Sequence, residues 1–232
     1  TQFRWQKTFW NGIIIIEYKN NFKFKIYYMN SELRQDIVSG DWIVIAPSRA
    51  KRPTEGEARP SGRPDQLIKL HKMKRIKAPI KDCPFENLQK SGHHPPILKF
   101  QNSRDWEVVV VENKYPAFTH INVCASPEKR GPYSVMNGIG HHNLVITRDH
   151  CKNFPKLSKQ NANLVFKAFV DYYKILANDY CLAYVSIFHN WGQRAGASIY
   201  HPHYQIIALP IVPPDVEHSL EGSNSYYKKH KK

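Results

Sequence analysis

The pattern with the clearest chemical potential lies in the segment from Asn190 to Gln205, where two histidines flank a proline. If this part of the chain is extended, its side chains alternate between faces, and His201, His203 and Gln205 project on the same side. Just upstream, glycines let the backbone approach a phosphate closely, and the hydroxyl of Ser198 can donate a hydrogen bond to it. The spacing therefore predicts a phosphate-handling site with a histidine nucleophile. By itself, a pair of histidines two residues apart is also typical of an exposed strand or a turn.

Across the same segment, the pattern Asn-x-Gly-x-x-x-Gly-x-Ser-x-x-His-Pro-His-x-Gln resembles the active-site motif of the galactose-1-phosphate uridylyltransferases, in the transferase branch of the histidine-triad superfamily. The resemblance implies that His203 attacks a nucleotide phosphate. It also implies that Gln205 donates an amide hydrogen bond to a phosphoryl oxygen, and that Asn190, Gly196 and Ser198 contact the substrate. An amide suffices at position 205 because a phosphate leaving group departs as a stable anion and needs no strong acid.

Two further segments extend the resemblance towards the N-terminus. The first, Asp-Trp-Ile-Val-Ile-Ala-Pro-x-Arg-Ala-x-Arg-Pro, contains an apolar, β-branched segment, Trp42–Ala46, that predicts a strand. In the family the two arginines reach nucleotide or sugar phosphates, which makes Arg49 and Arg52 candidate ligands. A guanidinium suits this role because its planar fork can bond two phosphate oxygens at once. Without the resemblance, the same residues fit a solvated basic loop.

The second segment, Asn-Lys-Tyr-Pro-Ala-Phe, follows a predicted strand at Trp106–Val111. The corresponding loop of the family lies along the base and the ribose. The resemblance therefore implies that Asn113 bonds one of these groups and that Phe118 packs against a ring. The alternative is a plain turn.

Four residues that are distant in sequence form a candidate zinc site. The family commonly has Cys-Pro-x-Cys where this chain has Cys83-Pro84-Phe85-Glu86, so a carboxylate stands in place of the second thiolate. The resemblance implies that His150 and His201 complete a closed, four-coordinate structural site with Cys83 and Glu86. Carboxylate oxygen is an acceptable zinc ligand, and a site with one thiolate is less selective for zinc than a site with two.

The remaining pattern predicts the elements that position these groups. The clearest is a helix from Ser158 to Asn178, capped by the Ser158 side chain and carrying an apolar stripe from Val165 to Leu176. Predicted strands at Asn143–Thr147 and Leu182–Phe188 lead to His150 and to the active loop. We expect an α+β fold, with a histidine-triad-like antiparallel sheet and one long crossover helix.

The two ends of the chain differ from this central part. Residues 1–28 are rich in Phe, Ile, Tyr, Asn and Lys without a clean period, and we expect them to be a non-native extension. Residues 29–232 would then form the N-terminal domain of the family fold, since no second His-Pro-His block follows. The alternative for the extension is a hairpin that pairs Gly12–Tyr18 with Phe22–Tyr28. Between these parts, residues 54–81 predict a loop with a short helix around Asp65–Met73.

Composition and charge limit the partners and the cellular compartment that we expect for the protein. The 232 residues carry a net charge of +15, but 8 of these charges lie in residues 1–28 and 228–232, so we expect no general nucleic-acid binding. No apolar run approaches the ~20 residues that span a bilayer, and no secretory signal is recognisable. The four cysteines are widely spaced and do not resemble a dense disulfide framework, which favours a reducing cytoplasm.

Together these features predict a nucleotidyltransferase of galactose metabolism. It would exchange UMP between a UDP-sugar, namely a UDP-hexose, and a sugar 1-phosphate, namely a hexose 1-phosphate. The reaction would pass through a uridylyl-histidine, and the resemblance further implies a homodimer with a shared active site. One alternative is an adenylyl-transferring sugar-nucleotide phosphorylase of the same superfamily. Another is a non-catalytic or nucleic-acid-binding fragment. His141 and His142 receive no role from the sequence.

Overall fold

The structure is a computed structural model that describes residues 6–10, 13–17, 27–28, 31–52, 80–101, 105–192 and 195–231. The predicted short helix around residues 65–73 lies outside the described residues, as do Gln193 and Arg194 of the active loop. Within the described part of the chain, every helix is too short or too polar to cross a membrane.

Twelve strands and two α-helices make up the regular structure of the described residues. In chain order they are β1 (Gln6–Trp10), β2 (Ile13–Glu17), β3 (Tyr27–Tyr28), β4 (Glu32–Gln35), β5 (Trp42–Ile45), β6 (Leu98–Gln101), β7 (Trp106–Glu112), β8 (Glu128–Arg130), β9 (Tyr133–Asn137), β10 (His141–Thr147), α1 (Lys159–Leu176), β11 (Tyr184–Phe188), β12 (His203–Leu209) and α2 (Pro214–His230). Short 3-10 turns cover Pro47–Lys51, Ile80–Asp82 and Phe154–Lys156.

The central element is a five-stranded sheet with the order β11-β12-β10-β7-β6, in which every neighbouring pair is antiparallel. The long helix α1 connects β10 to β11 and covers one face of the sheet. Because side chains alternate along a strand, Val108, Val110 and Tyr204 point at the helix and pack against Val165 and Leu176. This confirms the α+β class, the antiparallel sheet and the long crossover helix.

The helix α1 begins and packs as its sequence predicts. The Ser158 side chain accepts a hydrogen bond from the backbone N–H of Asn161 at 3.1 Å, which satisfies one of the N–H groups that have no partner within the helix. Three members of the apolar stripe, Val165, Tyr172 and Leu176, are buried. The helix therefore contributes core packing rather than ligand contacts.

The opposite face of the sheet carries the residues with chemical potential. There Val109, Val111 and Ile146 pack against Phe85 and Cys83, which come from the segment before β6. His203 and Gln205 alternate with the helix-facing residues of β12, so both lie on this second face. Within the segment expected to be extended, the strand begins at His203, two residues after His201. Pro202 has no N–H to donate to the sheet, and the register with β10 runs from His203, which pairs with Ile146.

A second sheet, with the order β5-β4-β9-β8, lies beside the first. Its core cluster contains Leu33, Phe118 and Met136, with Ile207 and Leu209 of β12 packed against it. The predicted strand at Trp42–Ala46 is confirmed as β5. The segment that follows β12 could be helical or irregular from its sequence, and it forms the helix α2.

The N-terminal segment forms three antiparallel strands in the order β1-β2-β3. Ile13 pairs with Tyr28 and Ile14 with Tyr27, in agreement with the hairpin alternative. That residues 1–28 are a non-native extension stays a prediction.

A disulfide bond between Cys124 and Cys181 joins the loop before β8 to the turn before β11, with the two Cα atoms 4.9 Å apart. The spacing of the cysteines along the chain does not indicate this bond. A reducing cytoplasm stays a prediction that the disulfide does not favour.

Candidate active site

A cleft opens on the second face of the central sheet. Most of the predicted catalytic and substrate-binding residues line it: Arg49, Arg52, Asn113, Gly196, Ser198, His203 and Gln205. They come from four separate segments, namely the turn after β5, the loop after β7, the loop before β12, and β12 itself. The fold thus brings together residues that are as far apart as 156 positions in the sequence.

His203 is buried, and its ring is fixed from one side. Its Nδ1 lies 2.9 Å from the backbone oxygen of His201, which can only accept, so Nδ1 carries the proton and donates it. Phe85 packs edge-on against the ring, with the two centroids 5.0 Å apart. The lone pair of the neutral imidazole therefore lies on Nε2. Burial lowers the pKa of His203 from 6.5 to about 4, which keeps this lone pair unprotonated at neutral pH.

His142 fixes the orientation of Gln205. The backbone N–H of Ala117 donates to Nδ1 of His142 at 3.0 Å, so the proton of this neutral ring is on Nε2. Nε2 lies 2.9 Å from Oε1 of Gln205 and donates to it. Since its oxygen is engaged, Gln205 keeps both amide hydrogens for a ligand. Burial lowers the pKa of His142 to about 4, so this arrangement persists at neutral pH.

Asn113 belongs to the same network. Its Oδ1 accepts a hydrogen bond from the backbone N–H of Tyr115 at 2.9 Å, which orients its amide. Its Nδ2 is 3.0 Å from Nε2 of His142, and it cannot donate there because that nitrogen already carries a hydrogen. The amide hydrogens of Asn113 therefore stay available to a group in the cleft.

Two arginines, Arg49 and Arg52, line the cleft beside this network. Arg49 donates from Nη1 to the backbone oxygen of Tyr115 at 2.8 Å, and the same atom is 3.3 Å from Nδ1 of His142. Burial, with the nearby charge of Arg52 as a second cause, lowers the pKa of Arg49. Two guanidinium groups so close together in a cleft favour an anionic ligand with more than one negative charge.

The loop before β12 contains two glycines whose backbone conformation it requires. Gly192 and Gly196 have φ angles of +83° and +76°, in the left-handed region where glycine is favoured. The N–H groups of Ala195 and Ala197 both bond the carbonyl of Gly192, which closes a tight turn. Gly196 and Ser198 line the cleft next to this turn.

The predicted metal ligands Cys83, Glu86, His150 and His201 converge beside the cleft, with one donor atom of each within 4.8 Å of all the others. Oε1 of Glu86 lies 3.0 Å from Nδ1 of His150 and 3.3 Å from Nδ1 of His201. Sγ of Cys83 is 3.5 Å from the same nitrogen of His201.

The surroundings of this group suit a metal. Nε2 of His201 donates to the backbone oxygen of Thr147 at 2.7 Å, so its Nδ1 lone pair faces the other three ligands. Arg148 holds the turn of Glu86 by donating to its backbone oxygen at 3.1 Å. One thiolate, one carboxylate and two imidazoles form a donor set that zinc accepts in tetrahedral sites.

Two predicted contacts are not found. Asn190 is not among the described residues that line the cleft. Phe118 is buried in the core between the two sheets, where it is 2% exposed, so it is not placed to pack against a ligand ring. Ala117 and Phe118 both belong to this core cluster, because the loop turns into the core after its Asn113–Tyr115 part has passed the cleft.

Other residues of the cleft were not predicted. Phe85, His93, Lys114 and Tyr115 line it. His142 lies directly behind them and is the most consequential, because it contacts Gln205 and Asn113. Nδ1 of His93 is buried and has no hydrogen-bond partner among the described residues. The position of His142 could have been predicted from the sequence. Every second residue of a strand lies on the same face, so His142 shares the face of Leu144 and Ile146 on β10.

A comparison with protein families matches residues 20–213 to the family described as galactose-1-phosphate uridyl transferase, N-terminal domain. The chain belongs to this family. The fold class is the one that the resemblance implied.

Members and relatives of the uridyl transferase family match at moderate identity. An ADP-glucose phosphorylase from Arabidopsis thaliana is 28% identical over 84% of this chain and 53% of its own length. A galactose-1-phosphate uridylyltransferase from Thermotoga maritima is 24% identical over 87% of this chain and 54% of its own length. The chain thus spans about half the length of these relatives.

Solved structures give the same picture. A uridylyltransferase structure superposes with a TM-score of 0.58 at 25% identity, covering 86% of this chain and 52% of that one. The Arabidopsis ADP-glucose phosphorylase with bound ADP-glucose superposes with a TM-score of 0.55 at 25% identity, covering 87% and 56%.

Proposed function

We propose that this protein transfers a nucleoside monophosphate between a nucleoside diphosphate sugar and a sugar 1-phosphate, through a covalent intermediate on His203. One observation carries the proposal. The ring of His203 is held by a hydrogen bond from Nδ1, which leaves the lone pair on Nε2, and the residue lines a cleft together with two arginines and a glycine-containing loop. A nucleophile beside an anion-binding surface is the arrangement that phosphoryl and nucleotidyl transfer require.

The first step forms one bond and breaks one. The Nε2 lone pair of His203 attacks the α-phosphorus, a nitrogen–phosphorus bond forms, and the bond from phosphorus to the bridging oxygen breaks. The electron pair leaves with the sugar 1-phosphate. In the second step an oxygen of another sugar 1-phosphate attacks the same phosphorus, and the electron pair returns to Nε2. No proton changes place in either step.

The residues around the nucleophile have complementary roles. When Nε2 is bonded to phosphorus the imidazole becomes cationic, and the oxygen of His201 stabilises it through the hydrogen bond from Nδ1. Gln205 donates an amide hydrogen to a phosphoryl oxygen. Arg49 and Arg52 balance the charge of the diphosphate, and Ser198 and the backbone near Gly196 add neutral donors.

A metal would act on structure rather than on the reaction. Cys83, Glu86, His150 and His201 would hold zinc, which when bound would act as a rigid cross-link between segments. Since His201 also presents its backbone oxygen to His203, fixing His201 orients the nucleophile.

The base of the nucleotide is the open point of specificity. UDP-hexose and hexose 1-phosphate, as in galactose metabolism, are the first candidate substrates, because three relatives that match most of this chain are galactose-1-phosphate uridylyltransferases. Adenylyl transfer is the second, because a relative at 28% identity is an ADP-glucose phosphorylase. Homodimerisation, a cytoplasmic location and the lack of nucleic-acid binding stay proposals that follow from the family resemblance and the charge distribution.

Isotope exchange tests the proposal directly. The protein is incubated with UDP-glucose and labelled glucose 1-phosphate, without a further acceptor, and in parallel with ADP-glucose in place of UDP-glucose. A covalent intermediate predicts that label enters the nucleotide sugar in at least one series. His203→Ala should abolish the exchange, whereas His218→Ala, which removes an exposed histidine of α2, should not change it.

Each outcome of this experiment has a definite reading. Exchange with UDP-glucose supports uridylyl transfer, and exchange with ADP-glucose alone supports the adenylyl alternative. No exchange in either series would contradict the proposed function of this chain. DNA or RNA binding that falls steeply with salt and does not depend on His203 would then support the nucleic-acid alternative.

A further inference from the structure

A second group of metal-ligand side chains lies on the helix-facing side of the central sheet. It consists of His120 in the loop after β7, His141 at the start of β10, and Asp179 in the turn after α1. One ligand atom from each lies within 4.8 Å of the other two. His142, the next residue of β10, points to the opposite face and bonds Gln205 of the cleft, so this group is separated from the candidate active site by the thickness of the sheet.

The distances within the group differ from those of hydrogen bonds. Oδ2 of Asp179 is 3.6 Å from Nδ1 of His120 and 3.5 Å from Nε2 of His141. Hydrogen bonds between nitrogen and oxygen are shorter, at about 2.7–3.2 Å. Two ligand atoms of a tetrahedral zinc ion with bonds of about 2.0–2.1 Å lie roughly 3.3–3.4 Å apart. The observed separations are therefore close to those of atoms that share a metal.

Asp179 is oriented for this role. Its other oxygen, Oδ1, accepts the backbone N–H of Cys181 at 2.9 Å, which directs Oδ2 at the two imidazoles. A hydrogen bond to the second oxygen of a ligating carboxylate is typical of the outer shell of metal sites. Glu112 adds negative charge in the neighbourhood of His141, which favours a cation.

The disulfide fixes two of the three segments against each other. Cys124 comes four residues after His120, and Cys181 comes two residues after Asp179, so their bond ties the loop to the turn. The ring of His120 now stacks on that of His141, with centroids 4.3 Å apart. Its lone pair would reach the same ion after a rotation of the ring, and the exposed position of His120 leaves room for this rotation.

We propose that His120, His141 and Asp179 bind one divalent first-row transition metal, with zinc as the first candidate and water in the remaining positions. Two imidazoles and one carboxylate are a donor set that such ions accept. The bound metal would link the turn after α1 to the loop that also carries Asn113 and Ala117, which contact His142 in the cleft.

Cobalt binding tests this site on the full chain, with the disulfide kept oxidised. Cobalt bound to a thiolate gives a sulfur-to-metal charge-transfer band, so a cobalt ion at the Cys83 group is visible separately from one bound to nitrogen and oxygen alone. We expect the wild-type protein to bind one equivalent without this band. Asp179→Asn and His120→Ala should weaken that equivalent roughly tenfold or more and leave any thiolate-bound equivalent unchanged.

Matched controls make the outcome decisive. Asp215→Asn changes an exposed carboxylate of α2, and His218→Ala an exposed imidazole of the same helix, and neither should alter cobalt binding. Zinc should also raise the Tm of the wild type and of both controls more than that of Asp179→Asn. The proposal is overturned if the wild type binds no cobalt outside the thiolate site, or if Asp179→Asn and His120→Ala bind the second equivalent as tightly as the wild type.

Discussion

Substitutions of His142 can separate the roles of the two hydrogen bonds that its ring makes beside the cleft. Its Nδ1 accepts from the backbone of Ala117 at 3.0 Å, and its Nε2 donates to Gln205 at 2.9 Å. In His142→Asn the side-chain oxygen can take the place of Nδ1, but the shorter side chain does not reach Gln205. In His142→Gln the amide nitrogen can take the place of Nε2, whereas the bond from Ala117 is lost.

The magnitudes follow from the cost of each missing bond. A buried polar group left without its partner costs about 1–3 kcal/mol. In His142→Asn the lost bond is the one that orients Gln205. We therefore expect the rate of nucleotidyl transfer to fall roughly 5- to 150-fold, with one factor of ten for each 1.36 kcal/mol. In His142→Gln the lost bond is the one from the backbone of Ala117, so we expect the free energy of unfolding to drop by about 1–3 kcal/mol while the rate stays within about fivefold of the wild type.

Two assays read these effects independently. Single-turnover transfer with excess protein over nucleotide sugar gives the rate, and urea unfolding gives the stability. We expect opposite rankings of the two variants in the two assays. If His142→Asn transfers nucleotide as fast as His142→Gln, then Gln205 does not depend on the donor at Nε2, and the proposed role of His142 is refuted.

Three further predictions concern stability, metal and charge. The pKa values of His142 and His203 are lowered to about 4, so below pH 6.5 the unfolded chain binds protons that the folded chain does not. Urea unfolding should therefore show that the free energy of unfolding decreases by about 2 kcal/mol for each ring between pH 8 and pH 5. An unchanged free energy of unfolding would contradict the burial of the two rings as neutral groups. Glu86→Cys should increase zinc affinity in competition with a chelator, because a second thiolate is a softer ligand, and equal or weaker binding would count against the four-residue site. Arg49→Lys should slow transfer about tenfold, since the planar fork that bonds Tyr115 and a phosphate is lost, and a wild-type rate would exclude a role for that fork.

Local pattern was sufficient to predict much of the fold. The cap at Ser158 and the stripe from Val165 to Leu176 specify α1, because both depend on spacing within one helix. The β-branched run in β7 and the alternation in β12 likewise predict strands, since strand-forming side chains and a period of two are local properties. The convergence of the four predicted metal ligands followed from the family resemblance.

The parts that could not be predicted depend on contacts between distant segments. The disulfide between Cys124 and Cys181 joins residues 57 positions apart, and only the packing of the loop against the turn after α1 brings them together. His142 has no distinctive neighbours in sequence, and its role follows from a backbone N–H of another loop. Phe118 was expected at a ligand ring because the loop before it passes the cleft, but burial in the core between the sheets determines where its side chain lies.

The central claim is that His203 becomes covalently joined to a nucleotide, and mass analysis of the modified protein tests it most directly. The protein is mixed with UDP-glucose or ADP-glucose, quenched at alkaline pH to preserve a nitrogen–phosphorus bond, and digested for peptide mapping. The account predicts a mass increase of one nucleoside monophosphate on the peptide that contains His203, located on that residue and absent from His203→Ala. An unmodified His203 in a protein that still turns over nucleotide sugar, or a nucleotide attached to another residue, would contradict it.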